Sequence, residues 1–407
     1  MRFGERLATI LISATLLVGS PSAIKAQETI PGFDRNDLIA LPANKTGAVR
    51  IAENDNNLPP TAPIAESMDP TKPNDPYRLE QLDSAKYWNA LGIVKPRNEI
   101  TATDPITVVV LDTGFEPTYP DLTGIITDSA VQNVGDITPE IDHGTKVLAP
   151  FMTANNGLLA AGISQILSER TRIITINPYY PENYLLYKDG LKRAFVDANA
   201  SIISASISGF IDEETRGWIM DYLNRGGILV TAAGNFGTWN DVVTNGVSTP
   251  VVEMTDFACI SHNNVIPVGS INILGSPDGF SSFRCEKGED GKPTNMVKLF
   301  ARGSEVLVPL PLNKGLARTT GTSFATPAVT AAIVALIEAC SISPVTAIES
   351  ILAGARQTGD GGFVARYKTL GGYEHLPPTL DLVGAVGQTE GCARENIKYY
   401  FPIFYAS

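Results

Sequence analysis

Histidine is nearly missing from this chain. Only His143, His262 and His375 occur among 407 residues, so any imidazole chemistry falls on one of three positions. Cysteine is almost as scarce. None of Cys259, Cys285, Cys340 and Cys392 forms a C-x-x-C pair, which argues against the usual tetrahedral zinc site. Positive charge is in deficit, with 31 Lys and Arg against 43 Asp and Glu and a net charge of −12. Nucleic acid and anionic membrane are therefore poor partners. Beyond the N-terminus no apolar run is long enough to cross a bilayer, so no membrane insertion is expected. Internal repeats are absent, and no low-complexity tract occurs outside the segment before residue 76. With 43% hydrophobic residues, a chain of this length can bury a large core.

Residues 1–26 read as a secretory signal peptide: Arg2 and Arg6 precede the apolar stretch Leu7–Val18, and Ser20-Pro21-Ser22-Ala23-Ile24-Lys25-Ala26 offers cleavage after Ala26. A secreted or periplasmic product suits the cysteines, for which proximity favours Cys259–Cys285 and Cys340–Cys392. Residues 27–75 are polar and Pro-rich, without sustained periodicity, and read as a pro-segment or linker. An amphipathic helix is expected over Glu80–Leu91.

From Ile106 the texture changes. Ile106–Leu111 is a short, β-branched, uniformly apolar run of the kind covered on both faces. Similar runs recur at Arg172–Ile176, Ile202–Ile207, Ile228–Ala232 and Val265–Val268, with helical spacing over Leu185–Ala198 and Glu213–Asn224 between them. Alternating strands and helices predict an α/β fold, three layers around a mostly parallel central sheet. Function in such folds gathers at the carboxyl ends of the strands.

Three polar residues stand at such ends or turns. Asp112 closes Ile106–Leu111, Asn235 ends Ile228-Leu229-Val230-Thr231-Ala232-Ala233-Gly234, and His143 lies in Asp142-His143-Gly144-Thr145. Downstream, Gly321-Thr322-Ser323-Phe324-Ala325-Thr326-Pro327 hands a serine to an apolar helix, Pro327 suiting its first turn. Each alone has a plain explanation: Asp and Asn favour turns, and Ser favours helix N-caps. The order Asp112…His143…Asn235…Ser323 is more demanding. Among the known chain orders of a Ser-His-Asp triad, only Asp–His–Ser is met, and no Gly-x-Ser-x-Gly elbow occurs. An aspartic protease would need a second Asp-Thr-Gly, which is absent.

These blocks resemble those of subtilisin-like serine peptidases, the subtilase family, over roughly residues 75–387. Asp112-Thr113-Gly114…Tyr119-Pro120-Asp121-Leu122 is similar to the family's D-[ST]-G…H-P-D-L block, and Asp142-His143-Gly144-Thr145 to its H-G-T block. Ser206-Ile207-Ser208-Gly209 resembles the substrate-binding S-x-G segment and Ala232-Ala233-Gly234-Asn235 the oxyanion strand. Val265–Ser270 and Gly321–Pro327 complete the series in family order.

The resemblance implies a subtilisin-like catalytic domain over 76–387, with a tail over 388–407. It implies Ser323 as nucleophile, His143 as general base, Asp112 as its orienting carboxylate and Asn235 as oxyanion donor. Ser206, Ile207, Ser208 and Gly209 would pair with an extended peptide, and Ala232, Ala233 and Gly234 would line the pocket for the side chain before the cleaved bond. Glu253 is a candidate carboxylate for that pocket. A protein or peptide substrate is implied and no cofactor is required for catalysis. Structural Ca²⁺ is frequent in the family, Asp121 falling where a ligand often lies, with the short loop Ala154–Gly157 to supply the rest. Lys146 after the H-G-T block, and Phe324 and Ala328 beside Ser323, depart from the family pattern. They are the support for an alternative, a non-catalytic relative that binds peptides or a partner in the same groove.

Overall fold

The computed structural model describes residues 49–51, 105–116, 126–128, 141–151, 171–178, 184–236, 242–244, 247–249, 254–272, 275–285, 295–310, 316–356 and 377–389. The expected helix over Glu80–Leu91, Asp121, the loop 154–157, Glu253 and His375 lie outside these residues, as do the signal segment and the tail beyond 389.

Among the described residues seven strands form the central sheet: β2 (Ile106–Leu111), β3 (Ile126–Asp128), β4 (Thr171–Ile176), β5 (Ile202–Ala205), β7 (Ile228–Ala232), β10 (Val265–Ile271) and β11 (Leu299–Arg302). Their spatial order is β11-β10-β7-β5-β2-β4-β3, and every pairing is parallel. The β-branched runs become strands because both faces are covered. In β2, Ile106, Val108 and Val110 enter one core, while Val109 and Leu111 enter the other. The first core holds helices α4 (Thr322–Cys340) and α5 (Pro344–Gly354), with Val147 from α1 (Ile141–Val147) and Ala385 from α6 (Leu382–Gln388). The second holds α2 (Tyr184–Lys192), which runs into a π-turn over Arg193–Asp197, and α3 (Glu213–Asn224), capped by Asp212 accepting from the Thr215 N–H at 2.8 Å. Helix α4 is apolar all round, and its described residues from Ser323 to Glu338 are buried. Such a helix belongs inside a core.

Chain order locates the crevice. From β2 the chain builds outward to β3 and β4, then returns to the other side for β5, β7, β10 and β11. The switch falls between β2 and β5, where ligands bind in open α/β sheets. The neighbours β2, β5 and β7 end at Asp112, Ser206 and Ala233–Asn235.

Three observations depart from expectation. The run Ile202–Ile207 breaks at Ser206 into β5 and a separate strand, β6 (Ile207–Gly209). Within the segment read as a linker, Val49–Ile51 forms strand β1 and pairs antiparallel with β6, Val49 opposite Gly209, Arg50 opposite Ser208 and Ile51 opposite Ile207. The hairpins β8–β9 (Val242–Thr244, Val247–Thr249) and β12–β13 (Val306–Pro309, Leu316–Thr319) had no sequence signal of comparable strength. Cys259 is joined to Cys285 with the Cα atoms 5.5 Å apart, and Cys340 is also disulfide-bonded, to a partner outside the described residues.

Candidate active site

Asp112 leaves β2 fully buried, its Oδ1 accepting from the Thr113 N–H at 2.7 Å. The same oxygen lies 2.6 Å from His143 Nδ1, and His143 is 4% exposed. Reciprocal threonine contacts bring these two residues together. Thr113 Oγ1 accepts from the Gly144 N–H at 2.8 Å, and Thr145 Oγ1 accepts from the Glu116 N–H at 2.9 Å. Gly144 completes the contact by having no side chain, since a Cβ there would collide with the carbonyl oxygens of Thr113 and Gly114. Both obstacles are backbone atoms, so neither can yield as a flexible side chain would.

Ser323 is the second residue of α4 and is fully buried. The helix starts earlier than Pro327 suggested: Gly321 is the N-cap and Thr322 the first helical residue, which puts Pro327 inside the helix. A proline there has no N–H for the carbonyl four residues back. That carbonyl belongs to Ser323, and Ser206 Oγ donates to it at 2.8 Å. In return Ser323 Oγ donates, at a long 3.4 Å, to the Ser206 carbonyl. The end of β5 and the start of α4 are thereby tied in both directions.

Asn235 follows Gly234, whose φ of +110° suits glycine and few other residues. Its Oδ1 accepts from the Thr322 N–H at 2.9 Å and from Thr322 Oγ1 at 3.0 Å, while Thr322 Oγ1 accepts from the Gly234 N–H at 3.1 Å. A backbone N–H can only donate, so these contacts fix which end of the amide is oxygen. Nδ2 is turned toward Gly321, 3.2 Å from where a Cβ on that glycine would stand. The Phe324 N–H goes to the Gly321 carbonyl at 3.1 Å, and among the described residues the Ser323 N–H between them donates to nothing.

Phe324 does not face a groove. It is 2% exposed, lies in the first core, and sets its ring 5.6 Å from the His143 imidazole. Lys146, the departure after the H-G-T block, is also buried. Ser206–Gly209 and Ala232–Gly234 form adjacent stretches at the ends of β5 and β7, and β1 lies along the first of them. The structure thus gathers Asp112 with His143, and Ser323 with Ser206, Thr322 and Asn235. Sequence patterns did not single out Thr113, Thr145 or Thr322 for the contacts they make, because each partner is remote in the chain. Among the described residues no group of three or more His, Cys, Asp or Glu is placed to hold a metal ion.

The subtilase family model matches residues 103–367. The chain belongs to the subtilase family. Over 269 residues this subtilase is 31% identical to the major intracellular serine protease of Bacillus subtilis (strain 168), covering 63% of this chain and 73% of that one. It is 24% identical over 261 residues to thermitase of Thermoactinomyces vulgaris, covering 63% and 81%. Among solved structures, the prenylagaramide maturation protease PagA superposes with a TM-score of 0.52 at 20% identity, over 75% of this chain and 98% of that one. That likeness concerns the fold.

Two substitutions test the contacts just described. Gly144→Ala is expected to lower stability by about 1–3 kcal/mol through overpacking against fixed backbone, read as a lower urea midpoint at unchanged slope. Ser206→Ala leaves the Ser323 carbonyl unsatisfied and is expected to cost about 1–3 kcal/mol. In a Pro327→Ala background the helix supplies its own N–H, and the cost of Ser206→Ala should shrink. Equal costs in both backgrounds would refute the tie between Pro327 and Ser206.

Proposed function

We propose that this subtilase is a serine endopeptidase. The observation that carries the proposal is the buried contact of Asp112 Oδ1 with His143 Nδ1, in a family whose relatives are named as serine proteases. Ser323 Oγ attacks the scissile carbonyl carbon while His143 Nε2 takes its proton. His143 then passes that proton to the leaving amine, and a water hydrolyses the acyl-enzyme by the same steps in reverse roles. Asp112 accepts from Nδ1–H, which fixes the tautomer and stabilises the imidazolium as it forms. Burial supports this role, since charge interactions strengthen when water is excluded. Asn235 Nδ2 and the Ser323 N–H donate to the oxyanion. The Ser323 hydroxyl is here turned to the Ser206 carbonyl, and catalytic hydrogen bonds commonly tighten only with substrate in place.

The substrate is a peptide added as a strand along Ser206–Gly209. Strand β1 of the chain itself lies on that edge, antiparallel and running toward the Ser206 end. We also propose export, supported by the N-terminal charge and hydropathy pattern and by the paired cysteines. Among the described residues no helix is long and apolar enough to cross a membrane. The Bacillus subtilis relative is named as intracellular, so export is proposed from this chain's own features.

A fluorophosphonate probe tests the nucleophile. The native chain, and a form lacking residues through Ile51, should label, and Ser323→Ala should not; failure of both forms to label would refute the hydrolase assignment. The shortened form should also show a severalfold lower KM for peptides, because the edge of β6 becomes available. An unchanged KM would refute β6 as the substrate edge.

A further inference from the structure

Past Ala232 the chain leaves the sheet, and its peptide groups are handed to other segments. The Ala233 N–H donates to the Val268 carbonyl at 3.0 Å, and the Ala233 carbonyl accepts from the Thr255 N–H at 3.0 Å. The Gly234 N–H goes to Thr322 Oγ1. The two peptide groups that flank the Asn235 Cα both go to one residue, Ser282. Its N–H donates to the Gly234 carbonyl at 2.8 Å, and its Oγ accepts from the Phe236 N–H at 3.2 Å. The first contact holds the peptide plane before Asn235 and the second holds the plane after it. A residue between two rigid peptide planes has only two soft dihedrals, so Ser282 fixes the direction of the Asn235 Cα–Cβ bond.

Ser282 is itself anchored. It is fully buried, as are Ser281 and Phe283 on either side. Ser281 Oγ accepts from the Ser270 N–H at 3.0 Å and donates to the Ser282 carbonyl at 3.3 Å, which ties Ser282 to the end of β10. The Phe283 carbonyl accepts from the Val297 N–H at 3.0 Å, and Cys285 is bonded to Cys259. Gly234 leaves room for the approach, since a Cβ there would stand only 3.2 Å from Ser282 Oγ.

We infer that Ser282 is a positioning residue for the oxyanion donor, aiming the Asn235 amide by holding the peptide groups on both sides of it; this rests on the hydrolase function proposed above. Asn235 is constrained a second time at its far end, where Oδ1 accepts from the Thr322 N–H. Ser282 sets where the side chain starts and Thr322 sets where it ends, which leaves the amide one orientation. A donor fixed in advance needs no rearrangement as charge develops on the carbonyl oxygen. Without Ser282 Oγ the plane after Asn235 loses its hold and the amide loses its aim. The cost falls on the transition state, because ground-state binding makes little use of an oxyanion donor.

The fluorophosphonate probe reads this directly, because its phosphoryl oxygen takes the place of the oxyanion. Ser282→Ala is expected to lower kinact by about tenfold to a hundredfold, less than outright removal of the donor, with KI within about twofold. In an Asn235→Ala background the same change should cost less than about twofold. An unchanged kinact overturns the inference, as do equal losses in the two backgrounds or a change confined to KI. Hydrogen exchange gives a reading that needs no activity. In Ser282→Ala the amides of Phe236 and Thr322 should both lose protection, Thr322 because its acceptor Asn235 Oδ1 is displaced; loss at Phe236 alone overturns the inference. Where Ser282→Ala does not fold, the native chain decides. Its Phe236 and Thr322 amides should open together with similar protection, and a Thr322 amide protected far longer than that of Phe236 overturns the inference. No labelling of the native chain, with exchange as expected, would refute the hydrolase function and still support the positioning of Asn235 by Ser282.

Discussion

The start of helix α4 must be buried against the ends of β5 and β7, and the rest of the site depends on how its backbone is satisfied there. A helix begins with N–H groups that have no internal partner, and Pro327 adds a carbonyl that the helix cannot serve. The solutions come from other strands. Asn235, at the end of β7, takes the Thr322 N–H, and Ser206, at the end of β5, serves the Ser323 carbonyl. Each hydrogen bond also positions a candidate site residue, so satisfying the helix start and gathering those residues are one act of folding.

Asp112 and His143 are held by a different device. Neither depends on α4 for its backbone contacts. The loop after β2 and the helix α1 clasp each other through Thr113 and Thr145, at a separation only Gly144 permits. The two halves of the site meet through Phe324, whose ring lies against the imidazole and whose backbone belongs to α4. One of the departures from the family pattern thus packs between the halves, against the His143 ring.

What could be read from the sequence follows from how local the cause is. Ile106–Leu111, Ile228–Ala232 and Glu213–Asn224 were legible to the residue, because a strand buried on both faces is apolar without interruption and α3 carries its own cap in Asp212. Leu299–Arg302 and Leu316–Thr319 were not, since each is four residues long and carries an arginine. The six blocks and their order made the candidate residues legible. The position of Pro327 did not follow, because the group that accepts the Thr322 N–H at the early start of α4 is Asn235, far upstream. The contact of Asp256 with Ser208 was hidden for the same reason, the two being 48 residues apart.

Strand β1 shows the same dependence on a remote partner, in reverse. Val49-Arg50-Ile51 lies in a segment too polar to form structure alone, and its pairing draws on the edge that β6 offers. An open edge is a template for whichever chain reaches it first, and a segment of the same polypeptide has the advantage of high effective concentration. If β6 is the substrate edge proposed above, a peptide has to displace β1 before it can pair there.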